Sequence, residues 1–113
     1  MKHFPEFIKN SKNKINDSQQ NSEDVEGYYY EGADDSQVVF WECPSDQNSK
    51  KHRHDFDEYM VCLSGEYTAY RNNKEIILKP GDELFIPKGT EQWGNCIAGT
   101  RTIHAFGGKR IKK

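Results

Sequence analysis

His52-Arg-His54-Asp-Phe-Asp-Glu58 and, further on, Gly81-Asp-Glu-Leu-Phe-Ile-Pro87-Lys-Gly89-Thr-Glu-Gln92-Trp-Gly-Asn95 are the segments whose reading decides the fold of this chain. Both read as extended sequence punctuated by turn residues. Side chains two apart on an extended chain share a face, so His52 and His54 point the same way. Glu58, four residues on, keeps the phase. Two imidazoles and a carboxylate on one face form a metal-ligand set.

Working outward, residues 58–64 predict a strand stopped by Gly65, and 66–71 predict its successor. Asn72-Asn73 supplies the left-handed residues of a tight hairpin leading into 74–78. Lys79-Pro80-Gly81-Asp82 is a turn, 83–86 a strand, and Pro87-Lys-Gly89 a break. Residues 91–97 and 100–106 close the series around Ala98-Gly99. Upstream, Gly27-Tyr-Tyr-Tyr-Glu-Gly32 is a short aromatic strand and Gln37-Val-Val-Phe-Trp-Glu-Cys43 a longer one. Residues 44–49 read as a loop. Eight or nine short strands with regular turns and no amphipathic helix predict an all-β sandwich or barrel.

Strand parity extends the site. Met60 and Cys62 continue the Glu58 face, and Gly94 and Cys96 continue the Gln92 face, so all four are expected inside the barrel. His104 lies in phase with Thr100, Thr102 and Phe106. It is the proton-transfer candidate or a substitute ligand, with a purely structural buried histidine as the other reading. Phe40, Trp41, Tyr70, Phe85 and Trp93 are expected in the core or the pocket wall.

The chain has 113 residues, enough for one core. Its hydrophobic content of 34 % is unevenly spread, because residues 9–24 hold one apolar residue, Ile15. Residues 1–24 therefore read as a polar, partly flexible arm and 25–113 as the folded domain. Phe4, Pro5, Phe7 and Ile8 form an apolar patch on that arm, to pack or to fray. A net charge of −2 argues against nucleic-acid binding, and the basic end Lys109-Arg-Ile-Lys-Lys113 reads as a solvated tail. Three cysteines, 43, 62 and 96, without a CxxC spacing suggest reduced thiols and a cytoplasmic protein. No apolar run is long enough to span a membrane.

The two segments resemble the motifs of the cupin superfamily. The first motif, HxH-x3-E-x6-G, is matched by His52, His54, Glu58 and Gly65. In the second, G-x5-PxG-x2-H followed by an asparagine, Gly81, Pro87 and Gly89 match. Gln92 stands where the histidine belongs, and Asn95 follows. The resemblance covers roughly residues 25–108. It implies a double-stranded β-helix, or small jelly-roll barrel, in a single-domain protein of a kind that forms homodimers. It also implies a divalent metal, Fe, Mn, Ni or Zn, held by His52, His54, Glu58 and the residue at 92.

Gln92 leaves three readings open. Its amide oxygen is a weak ligand favouring Fe²⁺ or Mn²⁺, or it stands aside and leaves two histidines and one carboxylate, or the site holds no metal. Cupin activities include isomerases, epimerases, decarboxylases, dioxygenases and non-catalytic binders, so the fold does not choose among them. The expectation is metal-dependent chemistry on a small organic molecule. The alternatives are a non-catalytic pocket for a sugar or organic acid, and a metal-free structural dimer.

Overall fold

A computed structural model describes residues 1–16, 19–20 and 25–112. Its strands are β1 (Glu26–Glu31), β2 (Gln37–Cys43), β3 (Gln47–Asn48), β4 (Glu58–Ser64), β5 (Tyr67–Arg71), β6 (Lys74–Leu78), β7 (Glu83–Ile86), β8 (Gln92–Cys96) and β9 (Thr100–Phe106). They form two sheets, ordered β1-β2-β9-β4-β7 and β3-β8-β5-β6. Every pairing is antiparallel. This meets the sandwich or barrel expected from the strand pattern and is consistent with the jelly-roll barrel that the resemblance implies. Only β3 was read as loop, because two residues are too few to show a period.

Local chemistry explains the turns. Asn72 and Asn73 take φ of 50° and 65°, the left-handed pair that closes the β5–β6 hairpin without splaying its strands. Gly65, at φ 73°, ends β4 against β9; a Cβ there would lie 2.6 Å from Thr100 Cα. Glycine is required by both conformation and space.

The interior divides into two apolar clusters. Met60, Cys62, Leu78 and Ile86 fill one. Tyr29, Val39 and Phe106 fill the other, joined by Ile15 and Ile111 from the two chain ends. Met60 and Val39 are 1 % and 0 % exposed, and burying each such side chain contributes about 1.5–3 kcal/mol. The parity expectation holds for Met60, Cys62, Gly94, Thr100, Thr102, His104 and Phe106, all buried. The expectation that the large aromatics are in the core or pocket wall fails for Phe85, which is 54 % exposed. Phe85 alternates with buried Ile86 and so faces outward beside Tyr59, its register partner on β4.

The ends of the chain differ most from expectation. Ile15, read as part of an exposed connection, is 2 % exposed, and its N–H donates to Gly27 O at 2.8 Å. Phe4 packs edge-on against Phe40 with ring centroids 5.3 Å apart, under the Arg101 guanidinium. Residues 17–18 and 21–24 of the expected arm lie outside the described residues. The basic tail is not a solvated end either. Ile111 is buried, and Gln37 clamps its backbone, accepting from Ile111 N at 2.8 Å and donating to Ile111 O at 2.9 Å.

The cysteine reading also needs correction. Cys43 at the end of β2 and Cys96 at the end of β8 form a disulfide linking the two sheets, while Cys62 is free and buried. The partners are 53 residues apart and on different sheets, so spacing alone could not pair them. With them bonded, cysteine usage no longer argues for a reducing compartment. Among the described residues no helix is long and apolar enough to cross a membrane.

Candidate functional site

The two motif segments meet across a backbone bridge. His52 N donates to Gln92 O and Gln92 N donates to His52 O, both at 2.9 Å. Residues 52–57 form no regular ladder, yet exposure alternates through them, with His52, His54 and Phe56 turned inward. Three contacts hold that conformation. Gly89 N donates to His54 O at 2.9 Å, Lys88 N donates to Asp57 Oδ1 at 2.8 Å, and Phe56 stacks on the His54 ring. The alternation expected from a strand is therefore real, although its cause is one bridge and side-chain packing.

His52, His54, Glu58, Gln92 and His104 all line one cavity of about 80 Å³. That is room for several waters or a small organic molecule. Trp41, Tyr67, Thr102, Arg110 and the disulfide complete most of its wall. The five residues named from the sequence as ligand or proton-transfer candidates are thus brought together, and of the five aromatic wall candidates only Trp41 joins them.

Glu58 is the centre of the polar network. His104 Nδ1 lies 2.7 Å from its Oε2, and Gln92 Nε2 donates to its Oε1 at 3.1 Å. His54 Nε2 stands 3.5 Å from the same Oε1. Burial alone would raise the carboxyl's pKa, but the His104 hydrogen bond, followed by the nearby imidazoles, holds it below the ordinary value. His104 Nε2 lies 3.0 Å from Thr102 Oγ1, so both ring nitrogens are engaged by the protein. Trp41 packs edge-on against the His104 ring at 4.6 Å.

The first-motif imidazoles are held in their neutral form. Burial lowers His52, and it lowers His54 to about 4. His52 Nδ1 lies 2.6 Å from Lys50 O. A carbonyl can only accept, so Nδ1 carries the hydrogen and Nε2 keeps its lone pair. Histidine ligands are commonly fixed in this way.

In kind, this donor set fits a divalent metal: two neutral imidazoles, an ionised carboxylate and a carboxamide. The 3.5 Å and 3.1 Å separations from Glu58 Oε1 also approach the roughly 3.0–3.4 Å that separates two ligands bound at about 2.1 Å to one ion. Among the described residues, however, no three His, Cys, Asp or Glu side chains are gathered into a metal-holding group. Gln92 would have to turn its oxygen, in place of its NH₂, toward an ion.

Tyr67 and Arg110 were not singled out from the sequence. Tyr67 shares an inward face with Ala69 on β5, and Gly94 on the neighbouring β8 leaves space for its phenol; a Cβ on Gly94 would collide with the hydroxyl. That small residue beside a large one was the available signal. Burial pushes the Tyr67 phenol well above its usual pKa, and the Glu58 charge adds to the effect. For Arg110 the only sequence hint was Ile111, an apolar residue inside a basic run.

A double-sheet β-barrel with the two motif segments facing one internal cavity is the architecture of a cupin. Residues 39–97 match the family described as cupin domain, and the chain belongs to that family. No curated protein matches it in sequence. Among solved structures it is similar to an RmlC-like cupin from Shewanella frigidimarina, at 17 % identity and TM-score 0.67, covering 83 % of this chain and 92 % of that one. It is also similar to a predicted oxalate decarboxylase from Thermotoga maritima, at 16 % identity and TM-score 0.67, covering 82 % and 88 %. The polyketide cyclase RemF from Streptomyces resistomycificus matches at 18 % identity and TM-score 0.64, covering 77 % and 67 %. At such identities these likenesses establish the fold alone.

Proposed function

We propose that this cupin binds a small organic molecule in the barrel cavity and transforms it with the help of a divalent ion. His52 and His54 would hold the ion, with Glu58 and Gln92 completing the set. The observation that carries this reading is the convergence of the four motif side chains on one cavity, with the His52 lone pair left available by the Lys50 carbonyl. A bound ion supplies Lewis-acid polarisation of a hydroxyl, keto or carboxylate oxygen, which suits isomerisation, decarboxylation or dioxygenation. In this scheme His104 is a positioning residue. Its nitrogens are occupied by Glu58 and Thr102, so it orients the carboxylate and holds a proton against Oε2.

The test is the metal content of freshly purified protein beside a His52→Ala/His54→Ala variant. About one equivalent of Fe, Mn, Ni or Zn, lost in the variant, supports the centre. A wild-type protein that is empty and also refuses added metal overturns it.

One observation favours a second reading, a metal-free binding pocket. Both Glu58 oxygens already have protein partners. Ligand-induced thermal shifts in chelator-treated protein would identify that case.

The outer face of β4 and β7 carries Tyr59, Leu63 and Phe85, exposed by 41 %, 36 % and 54 %. We assign this apolar face to a homodimer contact with a second copy. Light scattering of Phe85→Glu against wild type checks it; a wild-type monomer overturns it.

A further inference from the structure

Arg110 is a cation of the cavity wall that makes no ion pair among the described residues, the Glu58 charge acting on it only through space. The guanidinium lines the same cavity as the motif residues, and its Nη1 donates to Gln19 O at 2.6 Å. Among the described residues no carboxylate lies within ion-pair distance of it. Its neighbour Lys109, by contrast, pairs with Glu31 at 3.1 Å and Asp35 at 3.7 Å. The acid of the cavity, Glu58, has both oxygens engaged by His104 and Gln92. Charges withdrawn from water are normally paired. A guanidinium's planar fork also matches a carboxylate in two parallel hydrogen bonds.

The position is held in advance of any ligand. Ile111, next in sequence, is buried and clamped by Gln37, and the Gln19 carbonyl fixes one nitrogen of the fork. An Arg so anchored loses little freedom when it engages a ligand.

We propose that Arg110 is the substrate-carboxylate receptor of this cavity, making the ligand a small organic acid and not a neutral sugar. The inference rests on the proposed use of the cavity as a small-molecule site and names the class of molecule. The cavity has room for a small acid beside the motif residues.

The experiment titrates malonate, pyruvate and the neutral isostere malonamide into full-length wild type, Arg110→Gln and Arg110→Lys, with metal content measured on every sample. Wild type is expected to prefer the acids over malonamide. Arg110→Gln should weaken acid binding about tenfold or more, the scale of a charge-assisted hydrogen bond, while malonamide binding changes less than about twofold on the same scale. Arg110→Lys, which keeps the charge but not the fork and preserves a cation if the Gln variant misfolds, should fall between. Equal loss for acid and amide, acid binding unchanged in both variants, or no acid binding by wild type overturns the proposal. The metal reading fails separately. Metal-free wild type that still prefers acids through Arg110 supports this inference while removing the metal. Metal-loaded protein indifferent to residue 110 does the reverse.

Discussion

The barrel wall and the two ends of the chain enclose the same cavity, yet they are held by different forces. The wall is built from antiparallel ladders, and its side-chain directions follow from a period of two. Glu58, Met60 and Cys62 face inward, while Tyr59 and Leu63 face out. The ends have no ladder of comparable length. Residues before β1 and after β9 are tied down by isolated apolar anchors, Phe4 and Ile15 at one end and Ile111 at the other, and by side chains gripping backbone: Asn13 on Tyr29 O, Gln37 on Ile111, Arg110 on Gln19 O. Gln20 Oε1 accepts from Trp41 Nε1 at 2.9 Å, which brings the N-terminal end onto the cavity wall. A ladder distributes its stability over many bonds, whereas an anchor concentrates it in one residue.

The largest effect should come from the covalent link in the wall. Breaking Cys43–Cys96, whose partners are 53 residues apart, should cost about 4 kcal/mol in the chain-entropy account. Urea unfolding of wild type and Cys43→Ser/Cys96→Ser measures it. A loss below about 1 kcal/mol, outside the usual range for such a link, would mean that packing alone joins the sheets.

Next comes the N-terminal anchor. Ile15→Ala should destabilise by about 2–5 kcal/mol, as for a core residue, because Ile15 is 2 % exposed and touches the Tyr29–Val39–Phe106 cluster. The same unfolding experiment serves. A change under about 0.5 kcal/mol, the size expected at an ordinary surface position, would return the arm to the status of an attached but dispensable strap.

This asymmetry explains what the sequence could and could not disclose. The strands other than β3 were legible because alternation repeats over four to seven residues. The same parity placed His104, Thr102 and Phe106 inside. Residues 52–57 were legible despite lacking a ladder, because the pair of backbone hydrogen bonds between His52 and Gln92 preserves the alternation. Single anchors have no period. Ile15 stands among polar neighbours and Ile111 among basic ones, and each looks like an isolated residue until the cluster that receives it is known. The disulfide was hidden for a related reason, since pairing two cysteines requires the register of strands in different sheets. Phe85 was misplaced by treating a large aromatic as core when parity already put it opposite Ile86.

Acid should weaken the wall through its imidazoles. The folded state lowers His54 from 6.5 to about 4 because burial opposes its charged form. Between those values the unfolded chain takes a proton that the folded chain refuses, so stability falls as pH falls from about 6.5 to about 4. Glu58, also depressed, acts in the same direction. Melting temperature against pH should therefore decline through this window, and more shallowly in His54→Gln. An identical slope in the variant would assign the acid sensitivity to other groups.

The smallest effect tests whether the tail acts through one fixed residue or through diffuse charge. Lys109 and Arg110 are adjacent cations with opposite surroundings: Lys109 is solvent-exposed and paired with Glu31 and Asp35, whereas Arg110 faces the cavity. Exposed ion pairs contribute little because water screens them and long side chains lose freedom in forming them. Lys109→Ala should therefore leave both the melting temperature and malonate affinity unchanged within error. If it weakened malonate binding as much as Arg110→Gln, the acid would be sensing the net charge of the tail. Raising the salt concentration separates the two cases, because exposed charge is screened within about 10 Å at 0.1 M, while a guanidinium in a partly closed cavity is screened much less. Insensitivity to Lys109 combined with loss at Arg110 would show that one anchored side chain, and not the basic run as a whole, gives the chain's end its part in the cavity.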